Sequence, residues 1–257
     1  MKYLLKKAWI TVIVIALISL PGLTEAGNAS FTPDPEITAR IAQNPSIIEE
    51  KLISSMNKLL ENPASLSIIL TPISDEATAQ GRFAKVVVHT SRGKVDNLTL
   101  HQADIEFENV QLDTTKLLLE DKIEPVLMSN INMDVRIRQA DLNQFLDAKS
   151  SSIKVNNPRI ELFKDKMELS GSTKYGMVKV EFWATGVLSV RDKKEICFHS
   201  NRMKVNRMVM PRSFVGMIIK KINPVLKLDK FPFKLNLDAI ELTRGEMRFT
   251  SHRKGTN

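Results

Sequence analysis

The sequence predicts an α+β fold, in which a long, curved antiparallel sheet wraps an amphipathic helix and leaves an elongated apolar groove. Strand-period alternation recurs through most of the chain after Pro63, while helical period is confined to three stretches. One alternating run, Val178 to Val190, keeps strict period over seven apolar-face positions, against a usual strand of about 5–6 residues. A sheet with one apolar face must cover that face. Three amphipathic helices are too little cover for so many long strands, and the remainder is read as a groove.

The chain opens on a leader. Lys2, Lys6 and Lys7 precede the thirteen uncharged residues Ala8 to Leu20, Pro21 and Gly22 break the run, and Thr24 and Ala26 place small residues at −3 and −1 of a cut after Ala26. This is the three-part layout of a secretory signal, and thirteen residues fall short of the about 20 that span a bilayer. Residues 1–26 are therefore expected to be a signal peptide and the protein to be exported to the periplasm, held at the membrane where the leader stays uncut. Residues 27–36, with Pro33 and Pro35, read as a flexible tether, residues 37–251 as one domain and 252–257 as a tail. The single Cys197 excludes an intramolecular disulfide. In an oxidising compartment it should be buried.

From Ile37 to Leu60 the period is helical and Pro45 splits it. Ser46 and Glu49 have the spacing of a capping box, and Ile48, Leu52, Met56 and Leu59 fall on one face. Strands follow: Leu66 to Leu70, then Gly81 through Val88, then Leu98 to Phe107 with a one-residue phase slip near His101 of the kind a bulge produces. Ile131, Met133, Val135 and Ile137 alternate with Asn132, Asp134, Arg136 and Arg138 as a half-buried strand. A short helix carries Leu142 and Phe145. Further strands run over Ile153 to Leu162, Met167 to Leu169, Val178 to Val190 and Glu195 to Val205. Pro211 opens a second short helix with Phe214, Ile218 and Ile222 on its apolar stripe, and Pro224 ends it. Phe231, Phe233, Leu235 and Leu237 alternate again before a second phase slip at Ala239 and the final pair of strands.

Most catalytic signatures are absent. No G-x-S-x-G occurs, and three Ser-x-x-Lys hits lack the companion elements of penicillin-binding enzymes. The four His, at 89, 101, 199 and 252, form no metal-binding spacing. Asp104, Glu106 and Glu108 line one strand face, which reads as a solvated face because like charges that close repel when buried. No enzyme, metal or cofactor is expected. What remains is apolar and basic. The chain carries +8 overall, but residues 27–192 hold 19 basic and 23 acidic side chains, whereas 193–257 hold 15 and 5. Nucleic acid is an improbable partner for an exported chain with so few aromatics. An anionic membrane surface suits the basic third, since each Lys or Arg near it contributes about 1 kcal/mol. Met203, Met208, Met210 and Met217 interleave with its Arg and Lys, and Met adapts to variable apolar partners.

Two segments resemble a known family. The run Asn132 to Leu146, with Ala140-Asp141-Leu142-Asn143 at its centre, is similar to the strand-then-helix element of the bacterial LmeA-like phospholipid-binding family. So is the ending Phe231-Pro232-Phe233 through Gly245-Glu246-Met247-Arg248-Phe249. The resemblance covers roughly Glu49 to Ser251 in element order and implies an exported envelope protein that binds phospholipid or another acyl lipid, with a fold similar to tubular lipid-binding proteins and no catalytic motif. On that reading a carrier or chaperone of lipid is expected, with acyl chains along Ile131, Met133, Val135, Leu142, Phe145, Val178, Val180, Phe182, Leu188, Phe214, Ile218, Ile222, Leu235 and Leu237. Arg212, Lys220 and Lys221 would meet head groups or the membrane. The alternative is a non-catalytic envelope scaffold that docks an envelope protein complex through a sheet edge or its basic face and has a fully packed interior.

Overall fold

The computed structural model describes residues 31–251 apart from 96, 154, 176–177, 194, 224–225 and 228–236. The predicted leader, residues 27–30 of the tether, the tail, Phe231, Phe233 and Leu235 lie outside the described residues.

Helix α1 (Pro35–Gln43) starts inside the predicted tether, because the Asp34 side chain accepts from the N–H groups of Glu36 and Ile37 and Pro35 fills the first turn. Helix α2 (Ser46–Leu59) follows. The expected capping box does not form. Pro45 is the N-cap and has no side-chain acceptor, and the Ser46 hydroxyl instead lies 2.8 Å from Asn44 Oδ1 and 3.2 Å from Glu50 Oε1. The chain then alternates β1 (Ser65–Pro72), α3 (Asp75–Ala79), β2 (Arg82–Ser91), β3 (Lys94–Val95), β4 (Leu98–Thr99), β5 (Gln102–Leu112), α4 (Thr114–Glu120), β6 (Pro125–Leu127) and β7 (Asn130–Arg138). The C-terminal half comprises α5 (Gln139–Ile153), β8 (Asn156–Phe163), β9 (Lys166–Tyr175), β10 (Val178–Arg191), β11 (Glu195–Val205), β12 (Met208–Val209), α6 (Arg212–Ile222), β13 (Leu226–Lys227), β14 (Ala239–Thr243) and β15 (Glu246–Ser251).

The protein is α+β and mostly antiparallel sheet, as expected, but the strands divide into two main sheets rather than one long one. The first has the order β1-β2-β5-β7-β15-β14, with β6 beside β5; the second has the order β12-β11-β10-β9-β8, with β13 beside β11. Among the described strands neither sheet closes into a barrel. The phase slip near His101 is not a bulge. Strands β3 and β4 form a separate two-stranded ribbon, and the chain enters the first sheet only after His101, whose N–H donates to Arg136 O at 2.8 Å.

Register places one apolar face inside each sheet. Across the first sheet, Ile68, Val88, Ile105 and Met133 align in one row, and Leu70, Val86, Phe107 and Ile131 in the next. The opposite face carries Lys85, His89, Asp104, Glu106, Asp134 and Arg248, and it is tied by cross-strand pairs: Lys85–Glu106 at 3.1 Å, His89–Asp104 at 2.7 Å and Arg248–Asp134 at 2.6 Å. The three aligned carboxylates are thus neighboured by complementary groups, since Glu108 also accepts from Asn130 Nδ2.

Two cores result. Helices α1, α2 and α4 cover the β1–β2–β5 part of the first sheet, burying Ile41, Ile48, Leu52, Phe83 and Leu117. The second core joins both sheets through α5 and buries Leu142, Phe145, Ile160, Leu162, Met167, Ile137 and Met247. Backbone bonds fasten the sheets along β14: Asp165 N–H to Leu242 O at 3.0 Å, Gly245 N–H to Leu162 O at 3.1 Å and Leu237 N–H to Lys193 O at 3.0 Å.

Candidate functional site: the space between the inner faces

The long strand β10 organises this region. Its even-numbered positions pair with Gly171, Leu169 and Met167 of β9 on one side and with Phe198 and Ile196 of β11 on the other. Two glycines let rings lie flat on the backbone. A Cβ at Gly171 would sit 2.6 Å from Phe182 Cζ, and one at Gly186 would sit 2.2 Å from His199 O and 2.6 Å from the Phe198 ring. Each glycine therefore marks a close approach that no larger residue permits.

No charged residue occupies the inner positions of β5, β7, β9 or β10. Towards α5 the packing is solid. Away from it, Ile131, Met133, Leu169, Phe182, Leu188 and Val190 are only half-buried while packing against the buried cluster. This apolar lining is partly open and is flanked on one side by a dense core.

The predicted residues separate accordingly. Ile131, Met133, Phe182 and Leu188 are half-buried and each packs against the buried cluster, and Val180 is half-buried on the same face of β10. Val135, Leu142, Phe145 and Leu237 are at most 8% exposed and belong to the solid core. They pack with Ile160, Leu162, Met167 and Met247 in the buried cluster that joins α5 to both sheets. Leu235 and the side chains of Val178, Phe214, Ile218, Ile222 and Lys221 lie outside the described residues. Arg212 and Lys220 are exposed on α6. Leu169 and Val190 belong to the lining and were not among the expected contacts, although the strand period around each carried the signal.

The polar residues of the Gln139-Ala140-Asp141-Leu142-Asn143 motif face elsewhere. Asn143 accepts from Ile160 N–H at 2.8 Å and donates to Ile160 O at 2.9 Å, while Gln139 Oε1 accepts from Leu162 N–H at 2.6 Å. Four helical residues rise about 6 Å and two strand residues about 6.6 Å, so side chains spaced by four on α5 match alternate residues of the β8 edge. Asn223 holds Phe198 of β11 in the same way, at 2.9 and 2.8 Å. Buried Asp141 takes both its oxygens to Arg92 Nη1, at 2.8 and 2.9 Å. These groups join elements; they do not line the apolar space.

Elsewhere the electrostatics are local. The Arg248 guanidinium beside Asp134 holds that carboxyl below its ordinary range, and burial pushes the Cys197 thiol up, consistent with its expected place in the interior. An open recess of about 450 Å³ is lined by Lys166, Thr185, Val187, His199, Ser200, Gly216 and Ile219. Among the described residues no three His, Cys, Asp or Glu side chains converge as a metal site.

A model of the LmeA-like phospholipid-binding family matches residues 77–252. The chain belongs to the LmeA-like phospholipid-binding family. The match begins within α3 and runs to the end of β15, so this LmeA-like region includes the whole second sheet but leaves α1, α2 and β1 outside it. No curated protein and no solved structure matches the chain. Membership makes lipid the ligand class against which the half-buried lining is to be read.

Proposed function

We propose that this LmeA-like protein is an exported phospholipid carrier of the cell envelope, with acyl chains lying between the inner faces of its two sheets. The observation that supports it is the uncharged, half-buried lining formed by Ile131 and Met133 from the first sheet and Leu169, Phe182, Leu188 and Val190 from the second. Large apolar side chains on facing sheets gain about 0.8 kcal/mol for each methylene they remove from water. About ten methylenes would contribute about 8 kcal/mol, before the cost of immobilising the lipid. Exposed Arg212 and Lys220 offer phosphate head groups charge-assisted hydrogen bonds.

Native mass spectrometry of protein purified without detergent from its own envelope tests this. The expected result is a bound mass in the phospholipid range, lost in Leu188→Glu and Val180→Glu variants that remain folded. A protein that is apo as purified, and stays apo after incubation with anionic vesicles, overturns the carrier reading in favour of a scaffold.

A further inference from the structure

The β11–β12 hairpin turns at Asn206-Arg207, both at positive φ, 47° and 68°. Immediately after the turn Met208 and Val209 are 64% and 60% exposed. Their register differs in consequence. Met208 pairs with Val205, which pairs with Phe182, so it extends the inner apolar row. Val209 pairs with Lys204, which pairs with Trp183, so it extends the outer row.

On that outer row Trp183 is bracketed by cations, with Lys204 Nζ 5.1 Å and the Arg202 guanidinium 5.9 Å from its ring. The nearby carboxylates are engaged: Glu168 accepts from Trp183 Nε1 at 3.1 Å, and Glu181 pairs with Lys179 at 2.9 Å. Among the described residues, Arg202, Lys204, Arg207 and Arg212 close no ion pair within 4.0 Å, although Arg207 helps Lys179 to hold the Glu181 carboxyl below its ordinary range. The tip is also held rigidly. Asn206 N–H donates to Glu181 O at 2.9 Å, and Asn206 Oδ1 accepts from Glu181 N–H at 2.8 Å. Two exposed apolar side chains, an indole and Arg and Lys residues that close no ion pair, on one braced hairpin, are the parts of an interfacial membrane anchor. Exposed Leu119 and Leu127 lack that setting, since they lie in a stretch with Glu120, Asp121 and Glu124.

We propose that the β11–β12 hairpin docks the protein on an anionic bilayer, with Met208 and Val209 entering the interface and Arg202, Lys204 and Arg207 meeting lipid phosphates. The inner row Met208–Val205–Phe182 then connects the bilayer surface to the apolar lining, so this site is also the entry for lipid. The proposal rests on the lipid-binding reading for that last step.

The test uses the full chain with Val209→Cys carrying a fluorophore, Cys197 being 2% exposed and protected from labelling. Vesicles contain nitroxide-labelled lipid in either phosphatidylglycerol-rich or pure phosphatidylcholine bilayers. The expected result is quenching by the anionic vesicles alone, and none for a label at Ile69→Cys on β1. The Arg202→Gln, Lys204→Gln, Arg207→Gln triple variant should weaken the vesicle titration on the order of a hundredfold. Equal quenching at both labels, or no dependence on anionic lipid, overturns the proposal. A protein that carries lipid in the mass spectrum yet shows a silent tip overturns docking alone. One that docks but stays apo overturns the carrier reading and, with it, the entry step, and leaves docking standing.

Discussion

If Asn143 is a fastener rather than a lipid contact, truncating it should weaken the fold and leave ligand occupancy alone. Asn143→Ala removes two hydrogen bonds to Ile160, at 2.8 and 2.9 Å, and leaves the N–H and C=O of an edge-strand residue without those partners. Each neutral bond has a net worth of about 0.5–1.5 kcal/mol, and a buried group left unsatisfied costs about 1–3 kcal/mol. Because the Asn143 side chain is only part-buried, water can reach some of the freed backbone, which argues for a total of about 2–3 kcal/mol. In a chain of this size each kcal/mol moves the melting temperature by about 2–4 °C, so the loss should be about 5–10 °C. Asn143→Asp keeps the acceptor for Ile160 N–H but turns an oxygen towards Ile160 O, so it should not rescue the wild-type value. Urea and thermal unfolding measure both variants, with the lipid mass of the surviving folded fraction as the second readout. A change within about 0.5 kcal/mol, the range of an ordinary surface substitution, would refute the fastening argument. So would a native melting curve with the lipid lost.

Two other outcomes follow from the same geometry. Gly186→Ala drives a methyl to 2.2 Å from His199 O and into the Phe198 ring; overpacking of this kind costs about 1–3 kcal/mol, read by urea unfolding, whereas Gly216→Ala, with open space around its Cβ, should not destabilise through a clash. Asp121 is held at a pKa of about 2 by hydrogen bonds from Lys51 and Lys58, against about 3.9 in an unfolded chain. A depressed folded-state value means that its stabilising contribution is complete above about pH 4 and is lost as pH falls towards 2, so Asp121→Asn should flatten that part of the stability profile in acid titrations followed by circular dichroism.

Local period made the strands legible and stopped there. The alternation in Ile131 to Ile137 and Val178 to Val190 marked β7 and β10, since a half-buried strand shows its faces in sequence. Helices α3 and α4, of five and seven residues, are too short for helical period to declare itself. Their caps, Ser74 and Asp113, were the available signal. The split into two sheets was hidden because it depends on distant pairings such as Val135 with Phe249, which no window of sequence contains. The same limit applied to the site. Met133 and Val135 share a strand and a face, yet one is half-buried and the other closed over. What separates them is the cover that other elements supply, and alternation cannot report that cover.

That distinction bears on why the polar residues of the Gln139 to Asn143 run sit where they do. Gln139 and Asn143 saturate the β8 edge from the helix, and Asn223 saturates Phe198 of β11 from the end of α6. An unpaired strand edge invites pairing with another chain, and both amide devices block it at single residues without adding a strand. They also fix the second sheet at two of its strands while the half-buried Phe182 and Leu188 on the intervening β10 keep incomplete cover. A scaffold that docked through its sheet edges would need those edges free. A carrier needs the reverse: edges sealed to other chains and an inner face left for lipid. The hydrogen bonds on β8 and β11 therefore weigh against a scaffold that docks through these two edges, by an argument independent of the apolar lining.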